Sequence, residues 1–424
     1  MPPTFPVTST TLDNGLRVVV SEDHAVPSVS LSLWVDVGSR HEQPGRTGLA
    51  HLFEHLMFEG SELVGEGEHM STLMAHGGRA NATTSFDRTA YVESVPSNAL
   101  ELALWLEADR QGHLLSALTQ ENLDVQRDVV VEEKHQRYDT APYGTALAQV
   151  CELVLPEGHP YRHPTIGSME DLAAASLQDT HDFYRAHYGP ATSVLTLVGD
   201  VTPETGVALA ERYLGHLEGE TLPRPAPTPP LGPLPAPVRR ELVEDVPSER
   251  LYLGFRLPAV TDPQFLACAL ALDALGALSV SRLHHRLLRR EESVSGCSAV
   301  ALGLRDGVSV GLLVLDVSDG VEPGAVEEQV GTVLREFAED GPTAGELEAS
   351  RADTERSWLE AMAGYDERAE LLSRASLVFG DPQQVNQHLG EVMAVTAEQV
   401  RRAAARWVVP EAIGTLVYRR PEQV

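Results

Sequence analysis

The feature of the sequence that most constrains the fold is a proline-rich segment near its middle. Residues 222–237, LPRPAPTPPLGPLPAP, contain eight prolines. Because proline fixes φ and has no backbone N–H, this segment cannot form a helix or a central strand. It is typical of an extended, semi-rigid linker. The alternative is a long surface loop within one domain, but the position near the middle of the chain favours two halves of similar size.

The two halves show the same order of strand and helix patterns. In the first half, alternating apolar residues around 29–35 and the stretch ATSVLTLVGD (191–200) predict strands. A helix is predicted directly after the second of these, with Thr202 as its N-cap and Pro203 at its first position. In the second half, ERLYLGFRLP and GVSVGLLVLDVS predict strands around helical stretches. Matching order in two halves suggests an internal duplication.

The length supports the same division. A chain of 424 residues is too long for one ordinary hydrophobic core. We therefore predict an N-terminal domain over 1–220, a proline-rich linker over 221–238 and a C-terminal domain over 239–424.

The charge of the chain excludes some partners. With 62 acidic and 32 basic residues, the formal net charge is −30. Such a chain repels nucleic acids and anionic membrane surfaces, so neither is expected as a partner. A basic peptide would be attracted, although the same charge also serves solubility alone.

The cysteines and the N-terminal residues indicate the cellular compartment of the protein. Cys151, Cys268 and Cys297 are scattered without CxxC spacing, which argues against a disulfide framework and against a thiolate zinc site. The first residues, MPPTFPVTST, lack the basic and apolar regions of a signal peptide, and the chain has no run of 18 apolar residues. A cytoplasmic protein without a membrane span is the expectation.

The stretch GLAHLFEHLMFEG (48–60) predicts a helix with two different faces. One face is an apolar stripe, and the opposite face carries His51, Glu54 and His55. The stripe consists of Leu49, Leu52, Phe53, Leu56 and Met57. Phe58 stands beside the polar residues, which suggests that this face lines a cavity.

The polar face has the residue types of a zinc site. Imidazoles at i and i+4 are neighbours on a helix and can converge on one Zn²⁺ at about 2.0–2.1 Å. Glu54 can reach a water molecule at the metal but is displaced from the histidine pair, which suits a general base. The order His-x-x-Glu-His is the reverse of the commoner His-Glu-x-x-His. A motif with only three fixed residues also occurs by chance. The alternative interpretation is two surface histidines beside a solvated carboxylate.

A third ligand is predicted in the stretch 122–139. Leu123, Gln126, Val130 and Glu133 form one helical stripe. A glutamate on an apolar stripe is costly unless it is paired or bound to a metal. Glu132 points about 100° away, towards water, and is the alternative ligand. Two histidines, one glutamate and an open fourth position describe a catalytic zinc site, with one Zn²⁺ per chain.

Together these motifs resemble the pitrilysin-type zinc peptidases, the inverzincins. The stretches LDNGLRVVV and GRANATTSFDRTAYV match the family's first strand and the strand after its motif helix. The resemblance covers nearly the whole chain and is to the short-subunit branch, such as the mitochondrial processing peptidase. It implies an α+β fold of two homologous domains, each an antiparallel-rich mixed sheet packed with helices. The C-terminal domain is expected to lack a metal motif.

The same resemblance implies roles for individual residues. His51, His55 and Glu133 would bind zinc, and Glu54 would activate the attacking water. Asn81 and Ala82 would lie on the strand edge where the family pairs an extended peptide substrate, although Asn81 could also be a turn residue. The family usually has a second glutamate seven residues before the ligand glutamate.

That position is Gln126 in this chain. A glutamine can still form a hydrogen bond to a ligand but carries no charge, so metal affinity or ligand basicity would differ.

A second departure concerns the partner. Full-length members position the scissile peptide with a paired Arg and Tyr. Arg289 could be that Arg, but Gly296 stands seven residues later and no Tyr is near. The alternative for Arg289 is a charged helix surface, and His284 and His285 are interpreted as surface residues.

Family members enclose a chamber between four domains, of which this chain supplies two. The resemblance therefore implies a dimer. The missing Tyr favours a heterodimer with a paralogue that carries the Arg/Tyr motif, and a homodimer is the alternative.

The sequence thus predicts a zinc metalloendopeptidase acting on peptides or unfolded segments. One alternative is a non-catalytic structural subunit of a peptidase-like complex. Another is a dedicated protease that processes one leader or precursor peptide.

Overall fold

The structure, a computed structural model, describes residues 3–219 and 227–421. The first part of the predicted proline-rich linker, residues 221–226, lies outside the described residues. From residue 227 to 237 the chain forms neither helix nor strand, and a strand begins at Val238.

The described residues form eleven strands and fourteen α-helices. The strands are β1 (Thr8–Thr11), β2 (Arg17–Glu22), β3 (Ser28–Val35), β4 (Arg79–Thr84), β5 (Thr89–Pro96), β6 (Ser193–Gly199), β7 (Val238–Val243), β8 (Arg250–Leu257), β9 (Val294–Leu302), β10 (Ser309–Val317) and β11 (Gly414–Arg419). The helices are α1 (Leu49–Leu56), α2 (Glu68–Ala75), α3 (Leu100–Ala117), α4 (Gln120–Lys134), α5 (Ala146–Val154), α6 (Met169–Ala174), α7 (Leu177–His187), α8 (Pro203–Leu214), α9 (Gln264–Leu272), α10 (Pro323–Asp340), α11 (Ala344–Ala363), α12 (Tyr365–Arg374), α13 (Gln384–Ala394) and α14 (Ala397–Trp407).

The chain divides into two compact units, each of which includes a segment from the other half of the sequence. The first unit comprises Met1–Glu133, Pro164–Pro225 and Trp358–His388. The second comprises Lys134–His163, Ala226–Ser357 and Leu389–Val424. The segment Lys134–His163 carries α5 into the second unit, and Trp358–His388 carries α12 into the first.

The sheet of the first unit has six strands in the order β1-β2-β6-β3-β5-β4. β2 and β6 are parallel and the other neighbours are antiparallel. On one face of β3, Val29, Leu31 and Leu33 join a core formed with α3 and α8. The other face, with Ser30 and Ser32, is covered by α12 and is also buried.

The sheet of the second unit has five strands in the order β7-β11-β8-β10-β9. Here β7 and β11 are parallel and the other neighbours are antiparallel. This is the order of β2-β6-β3-β5-β4, both in space and along the chain. The expectation of two homologous α+β domains with mixed sheets is therefore confirmed.

α5 packs closely on β8 and β11 of this second sheet because two glycines leave room for it. A Cβ at Gly254 would lie 2.5 Å from Val150 Cγ1, and one at Gly414 would lie 2.7 Å from Val154 Cγ1. The two valines therefore rest directly on the strand backbones.

Several local predictions match the structure. The five apolar residues of the stripe on α1 are all buried. Thr202 caps α8, since its hydroxyl accepts a hydrogen bond from Thr205 N, and Pro203 is the first helical residue. Among the helices of the described ranges, we find no segment with both the length and the hydropathy that a membrane span requires.

Candidate metal centre

The N-terminus of α1 is fixed by a glycine and a carboxylate. Gly48 adopts the left-handed region at φ 94°, and a Cβ there would lie 2.8 Å from Ile166 O. The carboxylate of Glu42 accepts hydrogen bonds from Gly48 N (2.9 Å) and Ala50 N (2.8 Å). It thereby satisfies two N–H groups that a helix start leaves without intrahelical partners. Because the apolar stripe is buried, His51, Glu54 and His55 are presented together on the opposite face.

α4 brings Glu133 to the two histidines. Glu133 Oε2 lies 3.5 Å from His51 Nε2 and 3.4 Å from His55 Nε2. One ligand atom from each of the three residues lies within 4.8 Å of the others. All three side chains are partly exposed, so solvent reaches the group from one side. Glu132, the alternative ligand, is exposed.

These separations fit a metal ion better than hydrogen bonds. N–H···O hydrogen bonds are about 2.7–3.2 Å long. Ligands held tetrahedrally at about 2.0–2.1 Å from Zn²⁺ lie roughly 3.3 Å apart. The donor set of two imidazoles and one carboxylate, open on one side, is the set of a catalytic zinc ion.

Glu54 lies on the same helix face. Burial raises the pKa of its carboxyl group, and the charge of Glu133 adds to this shift, while His55 and Arg88 act in the opposite direction. A carboxylate with a raised pKa is a stronger base, which suits proton transfer near neutral pH.

Arg88 is a nearby, partly buried cation that the sequence did not single out. Its guanidinium lies 4.7 Å from the centre of the Trp34 ring and 3.8 Å from the carboxylate of Glu370. It donates hydrogen bonds to the backbone oxygen (2.7 Å) and the hydroxyl (2.6 Å) of Thr83. Arg88 therefore holds the end of β4 in place. The only indication in the sequence was that Arg88 lies in the stretch GRANATTSFDRTAYV, which matches the family's strand after the motif helix.

The predicted substrate-binding residues lie on β4, which is an edge strand beside α1. Asn81 stands opposite Val92 and Ala82 opposite Tyr91 in the antiparallel pairing with β5. Within the described ranges, no strand pairs with the other edge of β4. That edge can therefore accept an added strand.

A buried polar cluster lies behind α1 and consists of His69, Glu93, Glu107 and Arg110. All four side chains are nearly inaccessible to solvent. His69 Nε2 lies 2.6 Å from Glu93 Oε1, and Arg110 donates two hydrogen bonds to Glu107, one of 2.9 Å from Nε. Phe58 packs against this cluster, 4.7 Å from the Arg110 guanidinium and 5.7 Å from the His69 ring. Phe58 is partly exposed, and it contacts this cluster with one side of its ring.

The burial of this cluster changes its protonation. It raises the pKa of Glu93 to about 7 and the pKa of Glu107 to about 7. Burial, with the charge of Arg110, lowers the pKa of His69 to about 3. The ligand atoms of His69, Glu93 and Glu107 also lie within 4.8 Å of one another. Since the guanidinium already occupies the cluster and repels a cation, we interpret the cluster as structural.

Gln126 contacts a residue that sequence reasoning missed. Its Nε2 donates a 2.7 Å hydrogen bond to Glu59 Oε1, and among the residues that the structure describes we find no hydrogen bond from it to His51, His55 or Glu133. Glu59 stands four residues after His55, beyond the end of α1 at Leu56. Its place in the predicted helical stretch 48–60 was the signal in the sequence that could have identified it.

The second unit contains the two positions that were compared with the family's Arg/Tyr pair. Arg289 is exposed, and Gly296 lies on β9. A Cβ at Gly296 would lie 2.5 Å from Asp316 Oδ2, and Arg250 holds that carboxylate with a 2.6 Å bond. A side chain at position 296 would therefore require the Asp316 carboxylate to shift. His284 and His285 belong to neither of the two groups of possible metal ligands in the described part of the chain.

Comparison with known proteins decides the family. The chain is 30% identical over 416 residues to a protein of Mycobacterium tuberculosis named an uncharacterized zinc protease, and the match covers 96% of this chain and 92% of that protein. The chain belongs to the M16 (insulinase) peptidase family. The family model described as "Insulinase (Peptidase family M16)" matches residues 17–154, and the one described as "Peptidase M16 inactive domain" matches residues 174–353.

Solved structures of two bacterial proteases have the same fold. The crystal structure of a protease from Helicobacter pylori matches with a TM-score of 0.91 at 24% identity, covering 99% of this chain and 100% of that one. The periplasmic protease PqqL from Escherichia coli matches with a TM-score of 0.78 at 19% identity, covering all of this chain but 48% of that one. This M16 chain therefore corresponds to about half of the PqqL chain.

Proposed function

We propose that this protein is a zinc-dependent metalloendopeptidase that hydrolyses peptide bonds in peptides or unfolded segments. The observation that carries the proposal is the convergence of His51 Nε2, His55 Nε2 and Glu133 Oε2, with Glu54 on the same helix face. Membership in the M16 peptidase family supports it.

His51, His55 and Glu133 would hold one Zn²⁺ per chain. A zinc ion there would act as a Lewis acid that polarises a peptide carbonyl and makes a water molecule more acidic. Glu54 would accept the proton of the attacking water and then deliver it to the leaving amine. The raised pKa of Glu54 supports both transfers, because the group can hold a proton and release it again.

The substrate would be an extended peptide added to β4 at Asn81 and Ala82. Backbone hydrogen bonds would hold it with little dependence on its side chains, as in other cases of strand addition. The exposed edge of β4 and its position beside α1 support this placement.

The active assembly would be a dimer. This chain matches about half of the PqqL chain, so two such chains together correspond to about the length of one PqqL chain. The missing Tyr near Arg289 favours a heterodimer with a paralogue that carries the Arg/Tyr motif, and a homodimer is the alternative.

Purified wild-type protein and a Glu54→Gln variant test the proposal. The wild type should contain about one zinc per chain and cleave an unfolded peptide mixture, and a chelator should remove both properties until zinc is added back. Glu54→Gln should contain zinc and not cleave. A wild type without zinc would overturn the proposal. A wild type that binds zinc but is inactive with every M16 paralogue of its source would support a non-catalytic subunit.

A further inference from the structure

Glu59 joins the two helices that carry the candidate zinc ligands. Its Oε1 accepts a 2.7 Å hydrogen bond from Gln126 Nε2, and its Oε2 accepts a 3.3 Å bond from Asn122 Nδ2. Glu59 follows the end of α1, while Asn122 and Gln126 lie in the first turns of α4. One carboxylate thus receives two amide donors from the neighbouring helix.

These residues stand at fixed distances from the ligands along the chain. Glu59 is four residues after His55, and Gln126 is seven residues before Glu133. At 1.5 Å per helical residue, Gln126 lies about 10 Å along α4 from the ligand glutamate. Because a helix is stiff over two turns, a shift of α4 at Gln126 moves Glu133 with it.

α4 has few apolar anchors, and Arg127 adds a polar tie by donating a 2.6 Å hydrogen bond to Ala175 O. Within it, only Leu123 and Val130 are buried, while Val125, Val129 and Val131 are exposed. A helix that buries so little apolar surface gains little stabilisation from packing. Its polar ties to neighbouring elements therefore matter more for its position.

The donors and acceptors around Glu59 are matched. Asn122 Oδ1 accepts a 3.0 Å hydrogen bond from Thr119 N at the start of α4, which turns Asn122 Nδ2 towards Glu59. A carboxylate only accepts, so both partners must donate. The amide of Gln126 meets this need. A carboxylate at position 126 would place two carboxyl groups about 2.7 Å apart, where they repel each other as anions and can share the site only if one of them takes up a proton.

We propose that Glu59 is a positioning residue that orients α4 and so places Glu133 towards His51 and His55. We propose further that Glu59 and Gln126 form a complementary pair in which one member is a carboxylate and the other an amide. The order of the two can be exchanged, because a glutamine at position 59 would donate to a glutamate at position 126 and accept from Asn122. The proposal rests on the zinc site of the proposed function.

A charge-exchange cycle tests the pair. Zinc affinity is measured by competition with a chromophoric chelator for the wild type, Gln126→Glu, Glu59→Gln and the double variant. Gln126→Glu should bind zinc about 10–100-fold more weakly, as is typical when a residue that supports a ligand is changed. The double variant should return to within about threefold of the wild type, since like charges no longer meet.

The thermal unfolding of each metal-free variant separates positioning from general destabilisation. The matched control is Gln120→Glu, which adds the same charge to α4 next to Asp124 and away from Glu59. It should leave zinc affinity within about twofold, because exposed charge pairs contribute little.

Three results would overturn the pairing: unchanged affinity in Gln126→Glu, an equal loss in Gln120→Glu, or no recovery in the double variant. If Gln126→Glu does not fold, the double variant decides alone, since the proposal requires it to fold and bind zinc as the wild type does. Absence of zinc from the wild type would instead refute the proposed function.

Discussion

The carboxylate of Glu133 faces the imidazole of His55 at 3.4 Å across two different helices. This separation is longer than a hydrogen bond and close to the distance between two ligands of one zinc ion. A metal ion held by both side chains would therefore link α1 to α4.

The first prediction concerns the third ligand. Glu133→Gln should lose zinc, because an amide is a much weaker ligand than a carboxylate and the two histidines alone leave the ion poorly held. Glu132→Gln is the matched control, since Glu132 is the exposed neighbour on the same turn. Metal analysis after gel filtration gives the stoichiometry. Zinc loss from Glu132→Gln alone would mean that the wrong glutamate has been assigned.

The second prediction concerns the base. Glu54→Gln should keep about one zinc per chain while peptide cleavage falls by about 10²–10⁴-fold, the usual effect of removing a general base. Metal content and the rate of cleavage of an unfolded peptide are measured on the same sample. Loss of metal together with activity would show that Glu54 supports the site structurally.

The third prediction concerns the buried cluster behind α1. Arg110→Met should lower the free energy of unfolding by about 3–5 kcal/mol, because it leaves buried carboxyls without their cation. Arg212→Met removes an exposed ion pair with Glu101, 3.1 Å long, and should cost no more than about 1 kcal/mol. Urea unfolding compares the two. A similar small loss in both variants would contradict a structural role for the cluster.

The fourth prediction is a dependence of stability on pH. Burial lowers the pKa of His187 to about 4, and its ring lies 5.7 Å from that of His41. The unfolded chain takes up this proton below about pH 6.5, whereas the folded chain does not until about pH 4. The free energy of unfolding is thus unaffected by His187 above about pH 6.5. It decreases as the pH falls towards 4, by about 2 kcal/mol at pH 5.

The variant His187→Phe should therefore lose less stability than the wild type between pH 7 and pH 5, as measured by urea unfolding at both values. His24→Gln is a control of opposite sign. Hydrogen bonds to Asp200 and Glu22 raise the pKa of His24, so its contribution is present at low pH and lost as the pH rises through its folded pKa. An unchanged pH response in His187→Phe would show that His187 is not protected from protonation.

The fifth prediction concerns the partner. The isolated chain should bind zinc but cleave peptides slowly, because it lacks the Arg/Tyr pair and positioning can contribute several kcal/mol to a barrier. An M16 paralogue that lacks His-x-x-Glu-His but carries Arg and Tyr should restore the rate, at one zinc per heterodimer. The mass of the native complex and the activity of the isolated chain distinguish the heterodimer from a dimer of one species. Full activity in a dimer of one species would favour Arg289 of this chain as the clamp.

The sequence predicted what depends on residues near one another in the chain. The stripe of α1, the strand alternation of β3 and the Thr202 cap follow from local periodicity and local hydrogen bonds, so they could be predicted without a structure. Glu133 was preferred over its neighbour Glu132 as the third ligand because a charge on an apolar stripe is costly unless it is paired or bound to a metal.

Contacts between distant elements could not be predicted in this way. The cluster of His69, Glu93, Glu107 and Arg110 joins α2, β5 and α3, and no periodicity indicates which of many charged residues will meet. The polar face of β3 is buried because α12 covers it, and Ser373 on α12 donates a 2.8 Å hydrogen bond to Thr196 on the neighbouring strand. Helix α12 comes from the second half of the sequence, so the alternation in β3 alone gave no sign of this cover.

The exchange of segments between the two units has a consequence for synthesis. The first unit includes Trp358–His388, which the ribosome makes after most of the second unit. During synthesis, the serine face of β3 in the sheet that supports the candidate zinc site therefore stays uncovered until α12 has left the ribosome. We expect a nascent chain stopped near residue 220 to be protease-sensitive and prone to aggregation, and a chain released beyond residue 388 to protect that sheet.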